Sequence, residues 1–218
     1  MYILTSPIYF PPHETANEDG ILALGGDLSE ERLLFAYRNG IFPWYNEDEP
    51  IIWWSPQMRM VVDPKNYKPP KTIRNLINRN TFQVTYNQCF EKVIEGCKTI
   101  VRKDQLGTWL TDEMKDAYMR LHQIGYAKSI EVWQNNELVG GLYGVDLGNF
   151  FVGESMFSRV SNASKIAFVW LVNHLKNNDY LLLDCQVHNH YLEQLGAFEI
   201  TRNSYLKIIQ HKSLEYHY

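Results

Sequence analysis

The sequence predicts an α/β protein of the α+β kind, with a small N-terminal domain over residues 1–61 and a larger domain over 62–218. Three observations predict this. The first sixty residues are rich in Pro and Gly and hold one clear helix, whereas the remainder alternates helical and strand-like segments. Three strand-like runs, AKSIEVWQ (127–134), ELVGGLYGVDL (137–147) and FFVGESMF (150–157), are joined by the turn pairs Asn135-Asn136 and Gly148-Asn149, which suits an antiparallel meander. A helix, an apolar strand and a further helix follow.

Ser29 is a good N-cap, Glu30 and Glu31 suit the positive end of a helix, and Gly40 ends it, with Leu33, Leu34, Ala36 and Tyr37 on its apolar side. IFPWY and IIWWSPQMRMVV are strand-like and are broken by Pro56. After Pro70, KTIRNLINRN reads as a short helix and TFQVTY as a strand. NQCFEKVIEGCK reads as a helix because Phe90, Val93, Ile94 and Cys97 recur at helical spacing. Thr111 caps a helix that ends at Gly125. Asn162 or Ser164 opens another, running to about Asn177. LLLDCQV (181–187) is an apolar, buried strand, HYLEQLGA a short helix ending at Gly196, and the tail returns as another strand. This order is that of the acetyltransferase-like (GNAT) fold, with a mixed, largely antiparallel sheet.

Composition excludes several classes. With 218 residues, 45% hydrophobic and 21% charged, the chain is neither disordered nor fibrous. No window approaches the ~18 consecutive apolar residues of a membrane span. The opening MYILTSPIYFPP lacks the basic and long apolar regions of a signal peptide. Three cysteines, Cys89, Cys97 and Cys185, form neither a metal knuckle nor a disulfide framework and read as reduced thiols in a cytoplasmic protein. The net charge of −4 means that any nucleic-acid contact must come from a local patch. One candidate is the stretch from Pro64 to Phe90, which has no Asp or Glu but holds Lys65, Lys68, Lys71, Arg74 and Arg79. Lys68, Lys71 and Arg74 would lie close to one helical face. A solvated helix face and a phosphate-binding surface both fit.

Candidate chemistry sits in two segments. In a regular strand Asp184 and Gln186 share a face, either as a structural hydrogen-bonded pair or as a site in which Asp184 orients or accepts a proton and Gln186 positions a substrate. In FFVGESMF, Gly153 allows close backbone approach and Glu154 puts a charge among Phe151, Val152, Met156 and Phe157. A regular strand cannot aim Phe151, Glu154 and Met156 one way, so a bulge or strand end is expected near Gly153. Trp44, Trp53, Trp54 and Trp109 suit packing, with base stacking as the alternative for one or two. SIEVW around Glu131 reads as an ordinary half-buried strand. His188 and His190 have no ligand set of metal spacing, so no metal is expected. The turn SRVSNASK has no glycine, which argues against a CoA pyrophosphate site and leaves another acyl donor open.

GILALGGDLS (20–29), AYRNGIFPWY (36–45), IIWWSP (51–56), GTW (107–109), SIEVW (129–133), ELVGGLYGV (137–145), GESMFSR (153–159), NASK (162–165) and LLDCQ (182–186) together resemble the bacterial leucyl/phenylalanyl-tRNA–protein transferase family over nearly the whole chain. The resemblance implies a GNAT-like catalytic domain that uses no cofactor. It would move Leu or Phe, and Met less well, from aminoacyl-tRNA to the N-terminal Arg or Lys of a protein, marking it for degradation. It implies that Trp44 and Trp109, with Tyr37 nearby, hold the tRNA's 3′-adenosine. Leu142, Phe151, Gly153, Glu154, Met156 and Leu183 would form the donor pocket, and Asp184 and Gln186 the catalytic pair, with Glu154 holding an amine or organising the pocket. Leu142 stands where relatives can carry Met, a volume-conserving exchange. Lys65, Lys68, Lys71 and Arg74 would meet acceptor-stem phosphates, and the family expectation is a monomer. A CoA-dependent acetyltransferase, detectable by CoA binding, and a non-catalytic RNA- or peptide-binding module, detectable by tRNA binding without product, are the rival readings.

Overall fold

Two β-sheets organise the chain in a computed structural model that describes residues 2–78, 81–100 and 110–210. The smaller contains β1 (Tyr2–Leu4), β2 (Ile21–Gly25), β3 (Phe42–Pro43) and β4 (Ile52–Trp54) in the order β1-β2-β4-β3. Helix α1 (Glu30–Arg38) lies between β2 and β3 in sequence. Ser29 Oγ accepts the Arg32 amide, and Gly40 takes the left-handed conformation, φ 72°, that ends the helix. Trp53 is fully buried in this unit and donates its indole N–H to Gly25 O at 2.8 Å.

The larger sheet has the order β11-β5-β10-β9-β8-β7-β6. Its strands are β5 (Met58–Val62), β6 (Gln83–Tyr86), β7 (Ala127–Gln134), β8 (Glu137–Asp146), β9 (Phe150–Ser158), β10 (Leu182–Asp184) and β11 (Phe198–Thr201). Only β9 and β10 run parallel; every other pair is antiparallel. This is the mixed, largely antiparallel sheet that the element order predicts. Asn135 and Asn136 both have positive φ, as the tight turn between β7 and β8 requires. Helices α3 (Phe90–Thr99) and α4 (Asp112–Gln123) cover one face, and α2 (Lys71–Asn78) and α5 (Ala163–Asn177) the other. On β8, Gly144 permits close approach to β9, because a Cβ there would sit 2.1 Å from Val152 O.

Several details depart from the sequence reading. The strand expected over 181–187 ends at Asp184, because Gln186 adopts a left-handed backbone, φ 66°. After α6 (His190–Glu193) the tail forms only the short β11 and then α7 (Arg202–Gln210), in which Tyr205 and Ile209, four apart, are buried at helical spacing. Lys68 precedes α2 and so is not on the helical face assigned to it with Lys71 and Arg74. The third helix starts at Phe90, three residues late, since Asn87 is left-handed. Glu131 is not half-buried but completely buried: it accepts the Gln88 and Cys89 amides at the start of α3, and hydroxyls from Thr85 and Ser129. Among the described residues no helix is long and apolar enough to cross a membrane.

Candidate active site

The strands β9 and β10 begin as partners and then part. Their register runs Leu182–Phe150, Leu183–Phe151 and Asp184–Val152, and stops there. Beyond Asp184 the chain stays with β5 instead: Cys185 N donates to Met60 O at 2.8 Å, and Met60 N to Gln186 O at 3.0 Å. Residues 153–158 of β9 thus lose their neighbour, and a cavity of about 740 Å³ opens between them and residues 185–189. Leu142, Gly153, Met156, Phe157, Phe168, Leu171 and Leu183 give it largely apolar walls, with Phe42, Pro43 and Trp44 from the N-terminal unit at its edge.

A bulge in β9 places Glu154. Tyr143 pairs with Ser155 and Gly144 with Gly153, leaving Glu154 as the extra residue. The insertion inverts the alternation of the strand. Phe151 and Met156 both pack on the α5 side, although five apart, and Phe157 on the α3 side. The predicted bulge is therefore present, but it turns Glu154 away from Phe151 and Met156, towards α1 and α4. There Tyr37 and Tyr118 donate to Glu154 Oε1 and Oε2 at 2.8 and 2.7 Å, and the two phenol oxygens lie 2.6 Å apart. Gln186 Nε2 donates to Oε1 at 2.9 Å. Burial, reinforced by the charge of Asp184, pushes the Glu154 carboxyl up to about 7, while the phenol donors and Arg59 pull it back only in part. Burial and the Glu154 charge raise Tyr37 and Tyr118 well above the usual phenol range, so both stay protonated.

Asp184 is fully buried and does not line the cavity. Arg59 grips it with Nε to Oδ1 at 2.8 Å and Nη2 to Oδ2 at 2.6 Å. The Tyr205 hydroxyl adds 2.7 Å to Oδ2, and the Gln186 amide 2.8 Å to Oδ1. The Arg59 guanidinium lies over the rings of Phe42 and Tyr205, 4.5 and 4.7 Å from their centroids. Asp184 and Gln186 thus come together, but not as side chains on one strand face. The aspartate holds the backbone of Gln186, and the Gln186 side chain reaches Glu154.

The other candidates separate by position. Leu142, Gly153, Met156, Leu183 and Trp44 line the cavity, whereas Phe151 and Tyr37 are buried behind its wall. Trp44 is 37% exposed and tilts against Trp54, with ring centroids 5.3 Å apart. Trp109 lies outside the described residues, as does Arg79. Lys65, Lys68, Lys71 and Arg74 are exposed and are not part of the cavity. Burial raises the Cys185 thiol far above its usual range, so it is a poor nucleophile despite lining the cavity. Among the described residues no group of three or more His, Cys, Asp or Glu could hold a metal ion.

Sequence reasoning missed Arg59, Tyr118 and Tyr205. Arg59 had a signal, a lone charge inside the apolar run MRMVV. Tyr118 had none beyond its place on an amphipathic helix, and Tyr205 had none, lying in a tail that reads as a strand.

Comparison with known proteins adds the family. The model described as leucyl/phenylalanyl-tRNA protein transferase matches residues 61–210, and that of the N-terminal domain of the same family matches 26–57. The leucyl/phenylalanyl-tRNA–protein transferase of Flavobacterium johnsoniae is 53% identical over 212 residues, covering 97% of this chain and 100% of its own. That of Lawsonia intracellularis is 51% identical over 200 residues, covering 92% and 88%. Among solved structures, FemX superposes with a TM-score of 0.54 at 10% identity over 79% of this chain and 66% of its own, a likeness of fold. The chain belongs to the leucyl/phenylalanyl-tRNA–protein transferase family.

Proposed function

We propose that this enzyme moves leucine or phenylalanine, and methionine less well, from aminoacyl-tRNA to the N-terminal Arg or Lys of acceptor proteins. The new peptide bond would create an N-terminus that marks the acceptor for degradation. The observation that carries this reading is the cavity, in which apolar walls meet the Glu154 carboxyl and the Gln186 carboxamide that is hydrogen-bonded to it. Apolar walls suit an unbranched apolar donor side chain, and β-branched donors would crowd near the carbonyl. Trp44, partly exposed and lining the cavity, would stack on the 3′-adenosine, with Trp109 as its proposed partner. Lys65, Lys68, Lys71 and Arg74 offer phosphate contacts on the exposed surface.

The chemistry asks little beyond position, because the ester is already activated. The acceptor amine needs a hydrogen-bond acceptor that sets its direction of attack. With its Nε2 engaged by Glu154, the Gln186 carboxamide oxygen is suited to that task. Asp184 is a positioning residue in this scheme. Both its oxygens are occupied by four donors, so it fixes the Gln186 backbone. The acyl group arrives on tRNA, so no cofactor is invoked. We take the enzyme to act as a cytoplasmic monomer.

A transfer assay tests the reading. Purified protein is incubated with radiolabelled leucyl-tRNA or phenylalanyl-tRNA and a protein bearing N-terminal Arg, Lys or Met. Label should move to the Arg and Lys acceptors and not to the Met control. No transfer with intact substrates would overturn the assignment.

A further inference from the structure

The hydrogen bonds around Glu154 do not balance if it is simply a carboxylate. Tyr37, Tyr118 and the Glu154 carboxyl form a closed ring of three oxygen–oxygen contacts, 2.6, 2.7 and 2.8 Å long. Each contact needs one proton between its oxygens. Two phenols supply two. If both point at the carboxylate, the Tyr37–Tyr118 contact has none, and two lone pairs face each other at 2.6 Å. A proton on Glu154 completes the circuit: the carboxyl donates to one phenol, that phenol to the second, and the second back to the other carboxyl oxygen. The ring therefore favours a protonated Glu154 at rest, and opens when that proton leaves.

We propose that Glu154, closed into this ring, carries the protons that aminoacyl transfer must move. The inference rests on the transfer reaction proposed above and assigns its acid–base residue. In its ionised form Glu154 takes a proton from the acceptor's α-ammonium. The nitrogen lone pair then forms the C–N bond to the ester carbonyl carbon. As the C–O bond to the 3′-oxygen breaks, Glu154 gives its proton to that oxygen and takes the remaining excess proton from nitrogen. Amide, free 3′-hydroxyl and protonated Glu154 result, and the last proton passes to solvent. Its pKa of about 7 is close to that of an α-amino group, so taking the proton from the acceptor's ammonium is near balance. Glu154 is also the only carboxyl among the described residues that line the cavity. The ionisable groups around it are Tyr37 on α1, Tyr118 on α4, Tyr143 on β8 and the Arg59–Asp184–Tyr205 cluster behind Gln186, with Cys185 and His188 elsewhere on the cavity wall.

Two measurements test this. In the full-length enzyme without substrates, NMR of glutamate labelled at its carboxyl carbon should show one carboxyl titrating near pH 7, absent in Glu154→Gln. In single-turnover transfer at saturating acceptor, the wild-type rate should rise with pH through that region. Glu154→Gln should be slower by about 100-fold or more. Tyr118→Phe opens the ring, so its rising limb should move away from the wild-type position. The acceptor amine's own ionisation would not respond to that change. A Glu154→Gln enzyme at wild-type rate, or a limb unmoved in Tyr118→Phe, overturns the proposal alone. An inactive wild type overturns the functional reading, and the proposal falls with it.

Discussion

Replacing Asp184 by Asn would leave the Arg59 guanidinium buried without its counter-charge. Breaking such a pair from one side costs about 3–5 kcal/mol, so Asp184→Asn should lower stability in urea unfolding before any catalytic role can be read from its rate. Gln186→Ala should do the opposite. It removes one side-chain hydrogen bond, to Glu154, changing stability by no more than about 1 kcal/mol while transfer falls sharply. Glu154 adds a pH dependence whose sign is fixed. Its folded value of about 7 lies above its ordinary 4.5, so the folded state holds more protons between them. The stability it contributes is full below the unfolded value and is lost as pH rises through the folded one. Relative to Glu154→Gln, the wild type should lose stability between pH 5 and 8, by about 2–3 kcal/mol. Unfolding curves at several pH values check this, and a difference that grows in the other direction would contradict the ring.

At the scale of elements, the bulge was legible because residue parity demanded it. Phe151 and Met156, five apart, share a face only across an extra residue, whereas the direction of that residue, Glu154, away from both, was not legible. The end of β10 was not legible. LLLDCQV is apolar throughout its length save for Asp184 and Gln186, and nothing in it marks a left-handed residue at Gln186. Yet it is beside this residue that β10 and β9 part and the cavity opens. The buried Glu131 was missed for a related reason. Its partners, the Gln88 and Cys89 amides, are more than forty residues away in sequence, and only tertiary structure brings them to it. The glycines give a direct test of this level. At Gly144 a Cβ would meet Val152 O at 2.1 Å, whereas at Gly153 the nearest atoms would be 3.5 and 3.7 Å away. Gly144→Ala should therefore cost several kcal/mol or prevent folding, roughly as overpacking does at its worst. Gly153→Ala should fold with a melting temperature close to wild type, and any effect should fall on donor choice.

The whole molecule is acidic, with a net charge of −4, yet its proposed partner is a polyanion. Long-range attraction cannot come from the total charge, so it must come from a local surface. The exposed Lys65, Lys68, Lys71 and Arg74 lie on one acid-free stretch and outside the cavity, so affinity for tRNA and the chemistry of transfer should be separable. Replacing Lys71 and Arg74 by Glu should weaken tRNA binding, and flatten the dependence of log K on log salt by about 0.7–0.9 for each phosphate that is no longer neutralised. Transfer from a minimal donor, leucine esterified to adenosine alone, should be unchanged by the same pair, because that donor reaches only the cavity and the Trp44 rim. Equal reductions with both donors would place the damage in the cavity instead. Unchanged tRNA binding would mean that the basic stretch is only a solvated face and that the tRNA body docks elsewhere.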